Sequence, residues 1–218
     1  MITFHVITLF PEVVEPYLKT SILGRAIEKK RVSVKLYGLR DYLEDPRERV
    51  DGRPFGGGPG MVIRPEPVVR AIMKAKGRKK NVKIIFFDRK GKRFTNDHAI
   101  HLSSNYRHLV LVSGRYEGID ARVYEVLKDR GDNVERLSMG SYILTGGEIP
   151  ALAVIDCVSR QIRGVLGDPD SLEEGRSAGR SVYTRPQSFY HGKRKYSVPG
   201  VLTSGHHSKI EKWRRGRA

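Results

Sequence analysis

Cysteine is nearly absent. Cys157 is the single one in 218 residues, so no disulfide can form within the chain, and its apolar helical setting marks it as core rather than nucleophile. Long apolar runs are missing as well, none approaching the roughly 20 residues of a membrane span. The opening MITFHVITLF lacks the basic start of a secretory leader and alternates like a strand, so a cytoplasmic protein is expected. Acid is scarce: 24 Asp+Glu against 41 Lys+Arg leave a formal charge of +17 and a pI near 10.1. Solubility alone asks for a net charge of roughly 2 to 8. The excess points to a polyanionic partner, nucleic acid first.

The length fits one domain, or one domain with a small appendage. Ile2, Phe4 and Val6 alternate on one face; a helical pattern follows through Val14, Leu18, Ile22 and Ala26, and Val32, Val34 and Leu36 alternate again. A helix over Pro65–Lys76 has proline in its first turn. The near-continuous apolar runs at 82–88 and 109–112 read as strands buried on both faces. Further helices are expected at Asn96–Ser103, Ile119–Lys128 and Gly147–Ile162, with a short strand at Val134–Ser138. Strands alternating with helices predict an α/β fold with a mostly parallel sheet flanked by helices. From Gly164 the apolar periodicity fades until about Ser204–Trp213, and the tail carries eleven Lys/Arg against five Asp/Glu. The expected organisation is a domain over 1–163, a flexible linker over 164–182 and a short basic extension over 183–218.

Three glycine-bearing segments could carry chemistry. Phe55-Gly56-Gly57-Gly58-Pro59-Gly60-Met61 permits positive φ and close backbone approach, but it is neither a Walker loop nor a dinucleotide fingerprint. Ser113 to Asp120 (SGRYEGID) follows an apolar strand, at the end of a parallel sheet where ligands bind; a turn with a salt bridge is the plainer reading. Met139 to Pro150 (MGSYILTGGEIP) leads into a helix, and its backbone amides together with Ile143 and Leu144 suit an adenine edge, although a turn with a helix cap fits equally. His206-His207 has no metal-ligand spacing and is expected to cap a helix; no metal-binding cluster is expected.

Taken together, and with Asp156–Arg160, Gly164–Gly167, Tyr183–Pro186 and Leu202–His207, these segments resemble the bacterial tRNA (guanine-N1)-methyltransferases, members of the SPOUT superfamily. The resemblance runs from Phe10 to Trp213. It implies a deep C-terminal trefoil knot, an exception to the rule that chains avoid knots. It also implies a homodimer with the active site at the subunit interface, S-adenosyl-L-methionine (SAM) as cofactor with Mg²⁺, and methylation of N1 of guanosine 37 in tRNA. On the matching positions, the cofactor is expected to contact Phe86, Phe87, Gly114, Met139, Gly140, Ser141, Tyr142, Ile143, Leu144 and Gly146. Glu117 is expected near the reacting group and Arg160 against guanine O6. N1 carries a proton at neutral pH, so a base must remove it while a cation stabilises charge on O6.

Relatives place an aspartate base in the linker, where this chain reads Glu173-Glu174-Gly175-Arg176-Ser177; Glu173 is the expected substitute, with Asp168, Asp170 and Glu174 beside it. Two further departures are Ser141 in place of the usual aspartate and Asp88-Arg89 in place of Ser-Pro. The C-terminal RNA-binding part is expected to be short, with Arg185, Lys193, Arg194, Lys195 and Trp213 contacting RNA through phosphates and stacking. Two other readings stay open. One is a SPOUT-fold SAM- or RNA-binding protein that is catalytically impaired or acts on a different nucleotide; the other is a structural basic protein, which leaves the glycine loops and Arg160 without a role.

Overall fold

The computed structural model describes residues 1–167 and 181–214. Strands β1 (Ile2–Thr8), β2 (Val32–Gly38), β5 (Val82–Arg93), β6 (His108–Val112) and β7 (Val134–Ser138) form one sheet in the order β2-β1-β6-β5-β7. Every ladder in it is parallel. A small antiparallel pair, β3 (Asp51–Gly52) and β4 (Val62–Ile63), lies outside that sheet.

The two-residue period of the strands divides the core. Phe4, Val6, Leu109, Leu111, Ile85 and Leu137 face helices α1 (Pro11–Leu18), α2 (Ser21–Glu28), α4 (Asn96–Asn105) and α6 (Glu148–Arg160). Their neighbours Ile7, Val110, Val112, Ile84 and Phe86 face α3 (Pro65–Lys76) and α5 (Arg122–Asp129). Both faces are covered, as the parallel-sheet pattern requires. Cys157 packs against the first of these clusters.

Local chemistry sets the helix ends. Thr95 Oγ1 accepts from His98 N at 3.3 Å to start α4. α5 begins at Arg122 rather than at Ile119 because Ile119 is bridged to Ile63, and Asp120 Oδ1 accepts from Arg122 N at 3.0 Å. α4 runs two residues past the expected end and α6 stops two short of it.

Compact packing divides the chain into Met1–Asp168 and Pro169–Ala218. The second unit contains an unanticipated antiparallel hairpin, β8 (Ser188–His191) and β9 (Arg194–Ser197). Helix α7 (Gly200–Thr203) and helix α8 (His207–Arg214) follow, separated around Gly205 at φ 72°, where one helix was expected. No helix among the described residues is long and apolar enough to cross a membrane.

Candidate active site

A cleft of about 600 Å³ opens at the C-terminal ends of β5, β6 and β7, the edge where parallel sheets present free loop backbone. The segments after β6 and β7 both line it. They are joined by a bridge between Arg115 and Gly146 and by Gly147 N donating to Gly114 O at 2.9 Å. Glycine is required here by space. A Cβ on Gly147 would sit 2.6 Å from Ser113 Cα, and one on Gly146 would sit 2.4 Å from Arg115 Nε.

Below this junction lies a buried ion pair. Arg115 Nε stands 3.0 Å from Glu148 Oε2, and Thr8 Oγ1 donates to Glu148 Oε1 at 2.7 Å. The Arg115 contact lacks the angle of a hydrogen bond, so it acts through charge. The Arg115 guanidinium also lies 4.7 Å from the Phe10 ring centroid. The plainer reading of this segment as a turn with a salt bridge therefore holds for Arg115, while its neighbours Gly114, Tyr116 and Glu117 line the cleft. Glu148 and Thr8 escaped the sequence reading. A glutamate at the head of an apolar helix was the available signal.

The weak FGGGPGM motif does not line the cleft but packs behind Glu117, which does. Ile63 N donates to Gly118 O, Glu117 N to Met61 O and Asp120 N to Ile63 O, each at 3.0 Å. Gly60, at φ 81°, lies under the Glu117 side chain, whose Oε1 would be 2.6 Å from a Cβ there. Phe55 at the loop tip is 100% exposed.

Nine of the ten expected cofactor residues line the cleft; Ser141 does not. Phe86 and Phe87 point to opposite faces of the sheet yet both reach it. Asp88 and Arg89 line it as well, because β5 leaves its pairing with β7 after Phe87 and resumes at Lys92. Asp88 Oδ2 stands 3.4 Å from Arg136 Nη1, and that guanidinium covers the Tyr124 ring at 3.9 Å. Burial pushes the Tyr124 hydroxyl up to about 12, against the pull of Arg136, so it stays protonated and able to donate.

Arg160 ends α6, outside the cleft lining. α6 starts at the cleft, which Pro150 lines, and at 1.5 Å per residue its other end is about 15 Å from that residue. Glu173, together with Asp168, Asp170 and Glu174, lies outside the described residues.

In the second unit, Phe189 stacks on Tyr196 with ring centroids 5.4 Å apart, and the Arg194 guanidinium lies 5.2 Å from the Tyr196 centroid. Lys193 is in the hairpin turn, Arg185 precedes β8 and both are exposed; Tyr183 and Trp213 rings meet at 6.0 Å. His207 opens α8, and no metal-ligating cluster occurs among the described residues.

A family model described as tRNA (Guanine-1)-methyltransferase TrmD matches residues 2–218. The tRNA (guanine-N(1)-)-methyltransferase of Caldanaerobacter subterraneus subsp. tengcongensis is 45% identical over 221 residues, covering 99% of this chain and 86% of the relative. The protein of the same name from Ruminiclostridium cellulolyticum is 43% identical over 97% of this chain and 88% of its own length. That from Dictyoglomus turgidum is 40% identical over 100% and 85%.

Proposed function

The chain belongs to the tRNA (guanine-1)-methyltransferase family, and from that premise we propose that it transfers a methyl group from SAM to N1 of guanosine 37 in tRNA, 3′ of the anticodon. The observation that carries the reading within the fold is the meeting of two glycine-bearing loops, after β6 and β7, around a cleft sized for a small ligand, with the third glycine-bearing segment bonded behind Glu117. Backbone groups at Gly114 and over Met139 to Leu144 fit an adenosine held by main-chain hydrogen bonds, with Phe86, Phe87, Ile143 and Leu144 as apolar walls. Gly146 leaves room beside Arg115. The passage of Lys92 and Arg93 along Leu137 and Ser138, and the bridge between Arg115 and Gly146, fit the trefoil knot that this reading expects around the cleft.

Once bound, SAM supplies an electrophilic methyl group on a sulfonium sulfur. The chain's task is to hold N1 in line, remove its proton and stabilise the charge on O6. Arg160 takes the O6 role, and a linker carboxylate, Glu173 first, takes the proton as the new N–C bond forms and the methyl–sulfur bond breaks. Glu117 orients the reacting group from its seat over Gly60. Mg²⁺ commonly takes one or two protein carboxylates and completes its shell from substrate and water, and Glu117 fits that pattern.

Arg160 lies about 15 Å along α6 from Pro150 at the cleft, a separation that supports its serving the cleft of a second subunit. A homodimer with shared sites is part of this proposal, and the exposed Ile149 on α6 and Val13 and Tyr17 on α1 offer apolar surface for it. Residues 1–163 carry the chemistry, 164–182 the linker, and 183–218 grip RNA through Arg185, Lys193, Arg194 and Trp213. Such a substrate places the enzyme in the cytoplasm.

The test is methyl transfer from labelled SAM, with Mg²⁺, to a tRNA transcript carrying guanosine 37 and to its adenosine-37 counterpart. Label at N1 of the guanosine transcript alone is expected. Binding of SAM without transfer to either would instead support an impaired or redirected relative.

A further inference from the structure

The sheet edge opposite the cleft is lined by three turns that lead into strands. Lys30 and Arg31 precede β2, Arg107 precedes β6, and Arg78, Lys79 and Lys80 precede β5. In the order β2-β1-β6-β5 these turns span three strand spacings, about 14 Å.

The backbone holds them in place. Arg31 N donates to Ala26 O at 2.9 Å, Arg107 N to Asn81 O at 3.3 Å, and Thr3 N to Arg107 O at 2.9 Å. Lys30 itself has φ 54°, a region that Gly and Asn occupy more readily than lysine. Among the described residues, Lys30, Arg31, Arg78, Lys80 and Arg107 have no carboxylate partner, as is also true of Arg25, Arg40 and Arg53 elsewhere; it is the alignment of the first five along one sheet edge that sets them apart. The positive field reaches inward. Beyond the effect of burial, Lys79 and Lys35 help hold His5 and His108 below the ordinary histidine range, and Arg107 acts on His108 too.

We propose that this row is a second RNA-contact surface, which takes the sugar–phosphate backbone of the substrate at a distance from the methylated base. It rests on tRNA being the substrate. Cations fixed in a line without competing carboxylates match the repeated charges of a phosphate backbone, whereas a single small anion calls for a concave site.

The experiment neutralises one cation per turn in the full chain, Arg31→Gln/Lys80→Gln/Arg107→Gln, and measures tRNA binding directly at several salt concentrations, alongside SAM affinity and the KM and kcat of transfer. The expected result is unchanged SAM affinity and kcat, a KM for tRNA raised about tenfold or more, and a log–log salt slope shallower by about 2 to 3, near one unit per lost contact. Unchanged tRNA affinity, or weaker binding with an unchanged salt slope, overturns the proposal. So does loss of binding to phosphatidylglycerol vesicles with tRNA affinity intact, which assigns the row to a membrane surface. A wild-type chain that binds tRNA but methylates none refutes the functional reading alone, since binding and its salt slope still decide the row.

Discussion

Arg115 and Glu148 face each other beneath the cleft, Nε to Oε2 at 3.0 Å, with the glutamate 1% exposed. Glu148 sits in the first turn of α6, where the helix end favours negative charge, and it joins the ends of β1 and β6 to that helix through Thr8 and Arg115. Removing one partner of such a buried pair leaves the other charge unmatched. Glu148→Ala is expected to lower unfolding free energy by about 3 kcal/mol in urea titration and to weaken SAM binding, with Glu148→Gln milder because it still accepts from Thr8. Wild-type stability in the alanine variant would show that the pair does not hold the site together.

Gly60 carries a second prediction. Its φ of 81° is unfavourable for alanine, and the new Cβ would meet Glu117 Oε1 at 2.6 Å. Gly60→Ala should therefore displace Glu117 and lower kcat about tenfold or more while SAM affinity changes little, since the cofactor loops are built from other segments. An equal loss in both would mean that the loop supports the cleft as a whole.

Much of this architecture was legible in the sequence because burial on both faces leaves apolar runs, as at 82–88 and 109–112. Proline in the first turn and an apolar face gave α3 with its observed bounds, Pro65–Lys76. Pairings between distant residues were not legible: Thr8 with Glu148 is 140 residues apart, and only folding brings Gly60 to Glu117. The β8–β9 hairpin was missed because its two faces are mostly exposed, so no apolar alternation marks it. Two of the three loops line the cleft, whereas each alone was compatible with an ordinary turn.

His5 gives a pH prediction. It is 0% exposed, with Nδ1 2.9 Å from Tyr37 Oη, and burial, then Lys79, His108 and Lys35, lower its pKa from 6.5 to about 4. Its folded pKa lies below its unfolded value, so the unfolded chain binds more protons between pH 6.5 and 4 and stability falls as pH drops through that window. The loss amounts to about 3 kcal/mol when complete. His5→Gln, which retains a polar partner for Tyr37, should flatten the difference between urea midpoints at pH 7 and pH 5. Identical pH slopes for wild type and variant would rule out this contribution.

The proton acceptor is tested by amide variants across the linker. Glu173→Gln should reduce transfer about 10²-fold or more at saturating tRNA and SAM, with SAM affinity retained, as expected when a general base is lost. If Asp168→Asn, Asp170→Asn or Glu174→Gln shows that loss instead, the proton moves to that neighbour. Indifference at all four positions would eliminate a linker base.

The separation between Arg160 and the cleft yields the sharpest test, because it distinguishes one subunit from two. Arg160→Ala and Glu117→Gln homodimers are each expected to lose about 10²-fold in transfer, the first with SAM binding intact. In a mixed dimer of the two, the cleft of the Arg160→Ala subunit keeps its own Glu117 and receives a wild-type Arg160 from its partner. The other cleft has both lesions. One intact site of two should restore about half of the wild-type rate. If each site used its own Arg160, both sites of the mixed dimer would carry one lesion and activity would stay at the level of the homodimers.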